Sequence, residues 1–147
     1  MIALAVGLRL VPAMVEPMST ESDGGEYLAM ATNLAEGNGL VDTMDNRAYY
    51  SAGYPMLLAA VFLITGPSLG VVLAVNLVLA AASVFLVHRV ARCAAGGREA
   101  AEGRPVSPDW AAVAAALAWA VYVPSIDRTN AINKENLMIP LMLGLVW

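Results

Sequence analysis

Hydrophobic positions in this chain come in blocks, and five stand out: residues 1–15, 53–65, 69–91, 110–124 and 137–147. Such runs predict an all-α chain. The block 69–91, LGVVLAVNLVLAAASVFLVHRVA, reaches the roughly 20 residues that carry a helix across a bilayer. It holds one internal amide, Asn76, which should face neighbouring helices rather than lipid. Its closing His88 and Arg89 suit a polar boundary.

The block 53–65, GYPMLLAAVFLIT, is too short to span. With Tyr54 and Pro55 at its start it predicts a helix over 54–65 lying along the interface. Upstream, Tyr27, Leu28, Ala31, Leu34 and Ala35 recur at helical spacing, while Glu26, Asn33 and Glu36 take the other face. That pattern predicts a second interfacial helix over 24–36, stopped by Gly37 and Gly39.

Charge decides how these pieces alternate across a membrane. Residues 16–52 carry Glu16, Glu21, Asp23, Glu26, Glu36, Asp42 and Asp45 against one basic residue, Arg47, whereas 88–109 carries Arg89, Arg92, Arg98 and Arg104. The excess of arginine marks the cytoplasmic side, so an odd number of crossings must separate the two loops. The block 69–91 is then the one crossing between them. The expected layout has spans at 1–15, 69–91, 110–124 and 137–147, an external loop at 16–68 and a cytoplasmic, linker-like loop at 92–109. Residues 125–136 return to the outer face.

Composition agrees with that layout: of 147 residues, 59% are hydrophobic and 14% charged, a balance that predicts a polytopic helical protein of the cell membrane. A formal net charge of −4, with no dense Lys/Arg cluster, sets nucleic acid aside as a partner. One cysteine, Cys93, and one histidine, His88, leave neither an internal disulfide nor a zinc or haem ligand set. No cofactor is called for; a divalent cation, if used, would need carboxylate ligands. The interrupted run at 1–15 and the short run at 137–147 are both expected to be parts of spans, making the chain the N-terminal part of a larger polytopic protein.

Asp23 is the sharpest candidate for chemistry. Either Ser22 or Asp23 caps the helix that follows, a common use of such residues, or the carboxylate does work at the membrane surface. Glu135 forms a surface ion pair with Lys134, pairs with Asp23 across a cleft, or binds a cation. Arg47, Arg128 and Lys134 are solvated surface cations or neutralise a phosphate. Glu26 reads as a solvated or capping acid. Tyr27, Tyr49, Tyr50 and Tyr54 anchor the loop at the interface or stack on a sugar.

In order and spacing, GLRLV, Asp23 four before Tyr27, NLAEGNG, SAGYP, LLAAVFLITGPSLG, Asn76, VYVPSI and NKENLMIP run through nearly the whole chain. This arrangement resembles the glycosyltransferase-C superfamily of polyprenyl-phosphate-sugar transferases, in particular the protein mannosyltransferase and lipid A aminoarabinose transferase branch. The chain departs from the pattern at Ala52, where a second proline is usual, and at Gly24, where a second acid is common. An arginine before the Asn76 position is also absent.

The resemblance implies an integral membrane enzyme that moves a sugar from a polyprenyl-phosphate donor to a glycan, lipid or protein acceptor on the outer face. Asp23 would be the general base on the acceptor hydroxyl, with inversion at the anomeric carbon. Glu135 would be its catalytic companion, and Tyr27, Tyr54, Arg47, Arg128 and Lys134 would bind substrate. Later helices of such enzymes supply much of the donor and acceptor sites, so these 147 residues need not be active alone. The alternative is a non-catalytic polytopic protein such as a transporter or scaffold subunit.

Overall fold

The computed structural model describes residues 1–16, 18–20, 23–47, 49–101 and 110–147, with side chains from 98 to 101 excepted. Seven helices and no strand occur among them: α1 (Ile2–Val15), α2 (Asp23–Ala35), α3 (Gly53–Thr65), α4 (Leu69–Ala101), α5 (Trp110–Ala120), α6 (Val123–Thr129) and α7 (Glu135–Val146). The expected all-α class is what the chain adopts. By length and composition α4 can cross a bilayer within Leu69–Gly97, where its most apolar stretch has mean hydropathy 2.5. Helices α5 and α6 pass the same test together, bent by 55°.

Local chemistry sets most of the helix ends. Glycine at 37 takes a φ of 85°, and the N–H groups of Asn38 and Gly37 return to the carbonyls of Asn33 and Leu34 at 2.8 and 3.2 Å. This paired closure satisfies carbonyls that α2 would otherwise leave open. Gly66, with φ 79°, ends α3 through its N–H to Phe62 O at 2.8 Å. Ser68 then starts α4 by accepting the Gly70 N–H on its hydroxyl at 3.3 Å.

Two boundaries differ from those expected. Helix α4 does not stop near residue 91 but runs on to Ala101, so the first half of the expected 92–109 linker is helix; 102–109, with Arg104, lies outside the described residues, as does the side chain of Arg98. An established helix extends cheaply through alanine, arginine and glutamate, and tolerates the glycine pair at 96 and 97. The expected 110–124 span breaks after Ala120. Pro124 does not close it but lies at the start of α6, the position where its missing N–H costs least.

Helix α4 is the hub, contacting α1, α3, α5, α6 and α7, while α2 packs on α3. Two cores result. The first joins Tyr27, Ala31, Tyr54, Leu58, Phe62, Val72 and Ile132 from α2, α3, α4 and the 130–134 segment. The second is made of Ala5, Val84, Ala116 and Ala120, where small side chains let α1, α4 and α5 approach closely. Large apolar side chains are left exposed on several helices, among them Ile64 and Leu145 at 87% and Met14 at 84%.

Candidate active site

The start of α2 is docked on the chain that leads to α7. Ser19 and Ala131 form a parallel backbone bridge, and Gly24 comes so near that an added Cβ would lie 3.2 Å from Ser19 O and 3.5 Å from Ile132 Cβ. At Gly25 an added Cβ would run into the Thr20 carbonyl. A second acid after Asp23 would therefore push these strands of chain apart, which gives the glycine at 24 a packing reason. Asp23 itself is exposed at the first position of α2, and among the described residues its carboxylate has no hydrogen bond or ion pair. Its carboxylate sits in the first turn rather than capping through a side-chain bond; Ser22, the other candidate cap, lies outside the described residues.

The tyrosines form a chain of edge-to-face contacts: Tyr49 to Tyr50 at 5.1 Å, Tyr50 to Tyr27 at 5.6 Å and Tyr27 to Tyr54 at 6.1 Å between ring centroids. Tyr27 and Tyr54 are 3% and 1% exposed. Both rings are enclosed among their aromatic neighbours in the core and present no open face to solvent. The ring open to solvent is Tyr49, 77% exposed, with Tyr50 half-buried beside it. Partial desolvation and then the charges of Asp23, Glu26, Tyr49 and Asp42 push the Tyr50 hydroxyl above its ordinary pKa, so this corner of the surface is electronegative.

Beneath that surface lies a polar clamp. The buried Tyr54 hydroxyl donates to Asn76 Oδ1 at 2.7 Å, and Asn76 Nδ2 donates to the carbonyls of Thr129 and Ala131 at 3.0 and 3.1 Å. Asn136 Nδ2 donates to Arg128 O and Ala131 O, both at 2.9 Å, and its side chain lies beside the Tyr54 hydroxyl. Burial pushes the Tyr54 hydroxyl up to about 12. Asn76 thus faces its neighbours, as an amide in an apolar helix must. The reading of the sequence missed Asn136 and Thr129; the signal for Asn136 was its spacing from Asn133, whose Oδ1 accepts the Asn136 N–H at 3.3 Å and closes the first turn of α7.

The charged candidates divide. Arg128 lies in the last turn of α6, Lys134 directly precedes α7 and Glu135 opens it, so all three belong to the segment clamped against the α2 start. No ion pair joins Lys134 to Glu135, and no hydrogen bond joins Glu135 to Asp23. Arg47 is exposed and held by a backbone bridge to Val41. Among the described residues no group of three His, Cys, Asp or Glu side chains could hold a metal ion.

Two further acids serve the loop itself. Glu26 accepts the Thr43 N–H and hydroxyl at 2.9 and 2.7 Å, a tertiary clasp in place of the solvated or capping role expected for it. Asp42, 6% exposed, accepts the Met44 and Asn46 N–H groups at 2.9 and 2.8 Å and the Asn46 amide at 3.1 Å. Desolvation pulls its carboxyl up, but these hydrogen bonds outweigh that and hold it below its ordinary pKa. The turn includes Asp45 at φ 65°, a left-handed conformation that Asp and Asn tolerate.

The arrangement sets an exposed carboxylate beside tyrosine rings and near a segment that carries Arg128 and Lys134 together with Asp127 and Glu135, all supported by buried amides. No protein-family model, curated protein or solved structure matches the chain.

Proposed function

We propose that the chain is the membrane portion of a glycosyltransferase that takes sugar from a polyprenyl-phosphate donor. The observation that carries this reading is the docking of the Asp23 helix start onto the 130–135 segment through Ser19, Gly24, Ala131 and Ile132, which brings a carboxylate to the end of the molecule that also carries Lys134 of that segment and Arg128 just before it. The broad exposure of large apolar side chains on α1, α3 and α7 supports a polytopic setting. In this reading α3 rests in the interface, α4 crosses the membrane, α5 with α6 forms a bent return, and the Asp23 end faces outward.

The step is a displacement. Asp23 takes the proton from an acceptor hydroxyl, the freed oxygen bonds the anomeric carbon, and the bond from that carbon to the phosphate oxygen breaks with its electron pair leaving on polyprenyl phosphate. The exposed carboxylate has no hydrogen bond or ion pair among the described residues to give up before it acts. Arg128 and Lys134 offset the charge on the departing phosphate. The exposed Tyr49 ring offers the sugar a stacking face.

Release of polyprenyl phosphate, measured in native membranes with a set of polyprenyl-phosphate hexoses and pentoses, tests the proposal. Asp23→Asn is expected to slow release by about 100- to 10,000-fold, the usual worth of a positioned base, with unchanged protein level. Asp45→Asn is the matched control, because it keeps the exposed position and its left-handed backbone. Equal loss in both variants, or none in either, overturns the assignment and favours a transporter or scaffold.

A further inference from the structure

Arg9 is the largest fully buried side chain among the described residues, at 0% exposure in the middle of α1. No carboxylate accompanies it: its Nη1 donates to Ala5 O and Ala120 O, both at 3.0 Å, and its Nη2 donates to Ser125 Oγ at 2.9 Å. Its Nε has no partner. A guanidinium taken out of water without a counter-charge is costly, so what it holds in return is the question.

The answer lies at residue 120. Ala120 is fully buried at the end of α5, and the residue four positions later, whose N–H would normally bond its carbonyl, is Pro124. Proline has no N–H to give. Around the break, Tyr122 is extended, with φ −67° and ψ 106°, and its N–H turns back to Trp119 O at 3.3 Å. The Ala120 carbonyl would stand unpaired in the alanine seam but for Arg9.

We infer that Arg9 is a positioning residue for the outer segment: it supplies from α1 the hydrogen bond that Pro124 withholds, and through Ser125 it fixes the direction in which α6 leaves the break. That direction carries Thr129 and Ala131 onto Asn76 and sets Ala131 beside Ser19. Arg9 touches neither Asp23 nor Glu135, yet the place of their two segments depends on it. The inference does not rest on the transferase reading, and its test needs no substrate.

The test is disulfide formation between Ser19→Cys and Ala131→Cys in a Cys93→Ala background of the whole chain in its membrane, since a bridged backbone pair has the short spacing a disulfide requires. The parent and Arg9→Lys, which keeps a donor, are expected to cross-link readily. Arg9→Met is expected to cut the yield at least fivefold and to lower the unfolding temperature. Adding Pro124→Ala to Arg9→Met restores a backbone donor, so the unfolding temperature recovers while the cross-link stays low, because the helix can now run straight. Cross-linking of Arg9→Met at the parent yield overturns the inference. A double variant no more stable than Arg9→Met overturns it as well.

Discussion

The two cores of this protein are built on opposite principles. Between α2, α3 and α4 the space is filled by volume, with Phe62, Leu58, Tyr27 and Tyr54 in contact, and the polar groups of Asn76 and Asn136 are matched at the edge of that packing. Between α1, α4 and α5 the helices approach closely: Ala5, Ala116 and Ala120 let them touch, and the buried polar groups beside them are the Arg9 guanidinium and the Trp119 Nε1. The first core resembles that of a water-soluble domain, where burying large side chains is the driving force. The second resembles helix association in lipid, where close approach replaces it. One chain therefore uses both solutions, and the 130–135 segment belongs to the first while being steered by the second.

Substitutions should expose that contrast. Phe62→Ala, in the volume-filled core, is expected to lower stability by about 3–5 kcal/mol, read from unfolding midpoints in detergent; a loss below 1 kcal/mol would mean that α3 is not held by this core. Next comes alkaline unfolding. Tyr54 is pushed up to about 12 from an unfolded value near 10, so its contribution is complete below pH 10. It is lost as pH rises from about 10 through 12, because the unfolded chain ionises first. The loss approaches about 2–3 kcal/mol for a shift of roughly two units, and Tyr54→Phe should abolish that limb. An unchanged limb in the phenylalanine variant would assign the titration elsewhere.

The smallest change is the reverse experiment in the alanine seam. Ala116→Leu is expected to cost about 1–3 kcal/mol by overpacking, although the same substitution adds apolar surface. If leucine at 116 instead stabilises the protein, the seam holds space that the alanines do not fill. The two cores would then differ in degree alone.

Apolar blocks made the positions of α1, α3 and α7 legible to within two residues, since a run of leucine, alanine and valine has few other uses. The glycines at 37 and 39 likewise announced the end of α2. Legibility failed where a residue has two opposite roles: Pro124 was read as a stop but acts as a start, and Gly96 with Gly97 was read as a linker although a long helix carries them. At the site, Asp23 and Asn76 were legible as polar positions in apolar or glycine-rich surroundings. Glu26 bound to Thr43 and Asn136 set beside Tyr54 were not, because each pairing joins residues far apart in sequence, and a polar residue in a polar loop carries no periodic signal. The burial of Tyr27 and Tyr54 was hidden for a similar reason: an interfacial ring and a core ring look alike in one dimension.

The 33 residues of α4 extend about 50 Å at 1.5 Å per residue, against a hydrocarbon layer of about 30 Å. In the membrane setting proposed above, the helix is a stiff mast that reaches well beyond the hydrocarbon layer. Arg89 is seated 4.6 Å over the Trp147 ring, a stay that steadies the mast near α7, and the exposed Cys93 lies one turn beyond it. A fluorophore on that native thiol would register the lean of the mast, and with it any rocking of the bundle, without altering a residue of the opposite face.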